Sequence, residues 1–111
     1  MTIQPNCLPH GATLVGYLLE QSAEALEVRA CRLIEMEGGD EHISSDACAD
    51  DVALFSIYAR SESGELVCLH DMPDLEEGQS IEAAQAEAVA ASQMIAAQSG
   101  LCLPTVLNAH L

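Results

Sequence analysis

The stretch Ala25–Glu37, ALEVRACRLIEME, decides how the rest of the chain is read. Leu26, Val28, Ala30, Ile34 and Met36 alternate with Glu27, Arg29, Cys31, Glu35 and Glu37. Successive side chains of a strand point to opposite faces, so a two-residue period predicts a strand with one apolar and one wet face. The same residues also have good helix propensity, and the competing reading is one long helix ending at Gly38–Gly39. We take the strand and build outward from it.

Downstream, VALFSIYAR (Val52–Arg60) is almost apolar throughout, as expected of a central strand covered on both faces. Ser61–Gly64 makes a short turn, and ELVCLHD (Glu65–Asp71) returns antiparallel, with Phe55–Arg60 against Leu66–His70 as the hairpin. Pro73 and the acidic run DLEEGQ end it. Ser80 is a good N-cap with Glu82 in the first turn, so a long helix is predicted to about Ser99, closed by Gly100. Its stripe of Ile81, Ala84, Ala88, Ala91 and Ile95 is narrow and lets the backbone approach a sheet closely. Upstream, Leu14, Val15, Leu18 and Leu19 mark one face of a helix over about Ala12–Ala23. GGDEHISSDACADD (Gly38–Asp51) reads as a long exposed connection. The apolar tail LCLPTVLNAHL must cover either the domain's own core or the same surface of a second copy. The expectation is an α+β fold over residues 1–111: a small, about three-stranded antiparallel sheet with an N-terminal helix and a long Ala-rich C-terminal helix packed on it.

Half of the 111 residues are hydrophobic, which argues against disorder, and a single domain of this size buries about two-thirds of its unfolded surface. No run reaches the length of a membrane span, and Met1–Pro9 lacks the basic start of a secretory signal, so a cytoplasm is the expected location. Eighteen acids face three bases, Arg29, Arg32 and Arg60, for a formal charge of −15 without any lysine. That balance opposes direct binding to nucleic acid and to anionic membranes and favours basic partners. Five cysteines without a Cys-x-x-Cys pair, Cys7, Cys31, Cys48, Cys68 and Cys102, fit reduced thiols.

Gly38–Glu41 resembles four residues of the Gly-Gly-Asp-Glu-Phe signature of diguanylate cyclases, with His42 in place of the aromatic. Phosphoryl transfer needs preorganised positive charge around the phosphates, and nothing else in the chain supplies it. The run reads as a Gly turn entering an acidic loop. Cys68 and His70, two apart on a strand, should share a face and could pair as nucleophile and base. No third group or oxyanion site accompanies them, and Asp71 and Asp74 oppose thiolate formation. The four histidines and the cysteines make a weak case for zinc, with only Cys7–His10 closely spaced. No catalytic residue, metal ligand or cofactor is therefore assigned.

What remains is the placement of the acids. Glu35, Glu37, Asp40, Glu41, Asp46, Asp50 and Asp51 form one run, and Asp71, Asp74, Glu76 and Glu77 lie in a second. Solubility of a small domain needs a net charge of only about 2–8. In size, charge and layout the chain resembles small acidic proteins of phages and mobile elements, including anti-CRISPR inhibitors. The resemblance implies a non-enzymatic binding protein, at work in the cytoplasm of a bacterial host cell, that inhibits or modulates a basic nucleic-acid-handling protein or complex, by nucleic-acid mimicry or steric block. On this reading the eleven acids just named meet the partner. The alternatives are a self-associating, homodimeric accessory protein and a Cys/His metal-binding module.

Overall fold

The computed structural model describes residues 4–35, 37–39, 41–44, 52–101 and 105–107. The chain runs α1 (Leu14–Glu20), β1 (Ala23–Glu35), β2 (Glu41–Ser44), β3 (Leu54–Ser61), β4 (Leu66–Asp71), α2 (Ile81–Ser99) and β5 (Thr105–Leu107). The antiparallel meander β1–β3–β4 flanked by two helices is the predicted α+β layout. Ala25–Glu35 is strand, as the alternation requires. β1 pairs with β3 from Ala23↔Ser61 to Cys31↔Leu54, and β3 pairs with β4 from Arg60↔Leu66 to Ser56↔Asp71.

Two short strands extend the meander. β1 is thirteen residues long, and its last four, Arg32–Glu35, pair antiparallel with β2. Gly38 and Gly39, at φ 94° and 88°, occupy the left-handed region that favours glycine and turn the chain between them. Residues 41–44 are thus a strand rather than part of an exposed connection. Their polar composition looks like a loop, but the overhanging end of β1 supplies a ladder that sequence alone does not reveal. β5 lies parallel to β1 along Glu27–Arg29, which places part of the apolar tail in the sheet.

The core lies between the sheet and α2. Leu26, Val28 and Ala30 of β1, Phe55, Ile57 and Ala59 of β3, and Leu69 of β4 meet Ala84, Ala88, Ala91 and Ile95 of α2. Ser80 caps α2 through its hydroxyl, which accepts the Ala83 N–H at 3.0 Å, and Gly100 closes it at φ 77°. α1 adds Leu14 and Leu18 to the same core. It is shorter than predicted because Thr13 is its N-cap and the chain turns out at Ser22, φ 53°. No helix among the described residues is long and apolar enough to cross a membrane.

The sheet face turned away from α2 departs from expectation. Glu27, Cys31 and Ser56 are buried there, at 6%, 0% and 0% exposure, so the predicted wet face of β1 is largely dry. Its polar groups are accommodated because they satisfy one another.

Candidate functional site

Two clusters organise that face, and the first is built on Glu27. Its carboxylate takes Arg29 from two residues along the same strand, Nε and Nη2 donating at 3.0 and 2.8 Å. Arg60 of β3 reaches it diagonally across the ladder, with Nε on Oε2 and Nη2 on Oε1 at 3.1 Å. The Arg60 hydrogen bonds, joined by those of Arg29, hold the Glu27 carboxyl below the usual carboxylate range despite burial. Arg60 Nη1 also donates to the Gly64 carbonyl at 2.8 Å and so steadies the β3–β4 turn. Two of the chain's three bases are therefore committed to one inward acid.

The described exposed acids number ten: Glu20, Glu24, Glu37, Glu62, Glu65, Asp74, Glu76, Glu77, Glu82 and Glu87. Glu37 stands at the β1–β2 turn. Asp74, Glu76 and Glu77 occupy the β4–α2 connection, where Asp74, Glu76 and Glu87 line a pocket of about 210 Å³ floored by Phe55, Met72 and Ala84. Glu35 and Glu41 are opposite one another in the β1–β2 register. Asp40, Asp46, Asp50 and Asp51 lie outside the described residues. Asp71, counted with the second acidic run, is only partly exposed and belongs to the other cluster.

That second cluster comes from a bulge in β4. Ile57 pairs with His70 and Tyr58 with Cys68, so Leu69 is an extra residue opposite none. A bulge breaks strict alternation and re-aims the following side chains. As a result Cys68 shares a face with Asp71, three residues on, and not with His70 as alternation predicts. The Cys68 thiol lies 3.3 Å from Asp71 Oδ1. His70 instead accepts the Asn6 N–H through Nδ1 at 3.1 Å, and burial lowers its affinity for a second proton.

Asn6 and Cys7 form an arm along β4. The Cys7 N–H donates to the Leu69 carbonyl at 3.0 Å. Asn6 Oδ1 accepts the Asp71 N–H and its Nδ2 donates to the Asp71 carbonyl, both at 2.8 Å. The arm delivers Cys7 Sγ to 3.0 Å from Cys68 Sγ and 3.5 Å from Asp71 Oδ2. Beneath them the buried Ser56 hydroxyl donates to Asp71 Oδ1 at 2.6 Å. Tyr58 OH and Cys31 Sγ stand 3.7 Å apart on the same face.

Burial first, and Asp71 beside them, push the Cys7 and Cys68 thiols above their ordinary values, Cys68 furthest. Burial likewise raises Cys31 and Tyr58. Neutral thiols without an adjacent imidazole are poor nucleophiles. Sequence reasoning set Asp71 near Cys68 as a charge that opposes its thiolate, but did not place the two on one face, nor join them to Cys7 and Ser56. Cys7 lies 61 residues from Cys68, and the bulge that aligns Cys68 with Asp71 has no sequence marker such as glycine.

Comparison of the chain with protein-family models, with curated proteins and with solved structures gave no match.

Proposed function

We propose that this chain is a non-enzymatic acidic binding protein whose partner is a basic, nucleic-acid-handling protein, which it inhibits or modulates by occupying a site meant for a polyanion. The observation that carries this reading is the commitment of Arg29 and Arg60 to buried Glu27. It leaves at most one base, Arg32, for ten exposed carboxylates among the described residues. Those carboxylates are available for a positive surface on another molecule.

The scale of the charge supports the same reading. Fifteen net charges on a body 35 Å in its longest dimension amount to one per about 2.3 Å. Duplex DNA carries one per about 1.7 Å of axis. A basic groove shaped for nucleic acid attracts such a body quickly and in a salt-dependent way. The raised thiols, and a carboxylate rather than an imidazole hydrogen-bonded to Cys68, speak against thiol catalysis.

The test is displacement of a fluorescent duplex from a panel of basic nucleic-acid-binding proteins, followed over a salt series. The chain should release the duplex from at least one of them, less well as salt rises. Charge reversal at Asp74, Glu76 and Glu77 together should slow association by about tenfold. Failure to displace from any member at low salt, or displacement indifferent to salt and to the triple reversal, rejects the proposal.

A further inference from the structure

We propose that Cys7, Cys68 and Asp71 form a binding site for a divalent cation of the zinc class, independent of the acidic outer surface. The donor set is two sulfurs and one carboxylate, which matches the ligand preference of that ion. One ligand atom from each residue lies within 4.8 Å of the others. Around a tetrahedral ion with metal–sulfur bonds of about 2.3 Å and metal–oxygen bonds of about 2.1 Å, ligand atoms stand about 3.6–3.8 Å apart. Cys68 Sγ stands 3.3 Å from Asp71 Oδ1 and Cys7 Sγ 3.5 Å from Asp71 Oδ2, so each sulfur already meets one of the two carboxylate oxygens near that spacing. The two sulfurs, at 3.0 Å, must part by about 0.8 Å, a small swing of the side chain carried by the Asn6–Cys7 arm.

The surroundings are those of an oriented ligand set. A metal-bound carboxylate is normally held by its own hydrogen-bond partners, which fix its direction. Ser56 does this at the Asp71 side chain, and Asn6 clamps the Asp71 backbone from both its N–H and its carbonyl. Cys7, Cys68 and Asp71 are only half-buried, so water completes the fourth position. Binding exchanges one doubly charged cation for the two thiol protons, which leave to solvent. No electron moves, and the site keeps a single net negative charge.

Sequence spacing hides this site for the reasons already given: it joins an N-terminal arm to a bulged strand. The closely spaced pair Cys7–His10 is not its basis, since His10 is exposed and the partners of Cys7 are Cys68, Asp71 and Asn6.

The experiment titrates cobalt(II), the optical stand-in for zinc, into the full chain purified and kept reduced without oxygen. One equivalent should bind with a thiolate-to-cobalt charge-transfer band, and zinc should bleach it. The band should survive joint replacement of Cys31, Cys48 and Cys102 by Ala and disappear in Cys7→Ser and in Cys68→Ser. Cys7→Ser changes the arm alone, so a circular dichroism spectrum equal to that of the parent keeps its loss of cobalt interpretable. Ser56→Ala should weaken cobalt binding by about 10- to 100-fold. Absence of the band, its survival in both serine variants, or its loss in the triple alanine variant overturns the proposal. So does a reduced chain that takes up no cobalt yet forms a Cys7–Cys68 cross-linked peptide in air, which would make the pair a disulfide.

Discussion

Glu27 shows how a single residue can set the character of a surface far from it. A carboxylate facing an ordinary solvated side of a strand would share its arginines loosely with neighbours. Here it is buried and held by two guanidiniums, with four hydrogen bonds between them. Glu27→Gln keeps the shape and removes the charge, and should lower the unfolding free energy by about 2 kcal/mol, read as a lower urea midpoint with an unchanged slope. The sign of its pH dependence follows from the depressed carboxyl. The folded state holds that proton less readily than the unfolded chain, so the stabilisation is complete above the ordinary value of 4.5 and is lost as pH falls through the lower folded value. Below pH 4.5 the parent should lose stability faster than Glu27→Gln; equal acid slopes would show the pair contributes nothing there. The Glu27–Arg29 half of this cluster was legible, since residues two apart on a strand share a face. Arg60 was not, because its approach depends on the register of β1 against β3.

At the scale of elements, what was legible followed from periodicity and caps. Alternation identified β1, and Ser80 and Gly100 fixed the ends of α2 because hydroxyl capping and left-handed closure are local chemistry. The alanine stripe of α2 was also readable, and it permits a test of close docking. Ala88 is fully buried against the sheet, so Ala88→Leu should overpack the interface and destabilise by about 2 kcal/mol. Ser80→Ala, which removes only the cap, should cost about 1 kcal/mol. Thermal melts that rank the two in the opposite order would place slack between helix and sheet. The pieces that escaped prediction depend on strand overhang, on free edges or on contacts distant in sequence. β2 needs the overhang of β1, β5 needs the β1 edge, and the thiol cluster needs both the Leu69 bulge and the arm.

For the whole molecule, the exposed acids should make the free chain unusually responsive to ions. Screening shortens the reach of charge to about 10 Å at 0.1 M salt, less than the dimensions of this body. The melting temperature should therefore climb as sodium chloride is raised, while the Glu27 pair, being buried, weakens little. A melting temperature that is flat or falls with salt would mean that like charges are too far apart to repel, and the dense negative surface invoked for binding would go with them. Charge excess could be counted from the sequence. Which of the acids stay unpaired could not, since this depends on where two arginines point.

One consequence of the N-terminal arm concerns the company the protein keeps with itself. An outermost strand offers a row of bare amides and carbonyls on which a strand from another chain can add. Asn6 and Cys7 lie along β4 at Leu69–Asp71 and use those groups, so the arm acts as a guard rail against fibril-like stacking. A copy whose arm has been clipped or peeled away exposes that row to the next copy, and so acidic a chain then seeds its own precipitation wherever salt or low pH has quietened its charge.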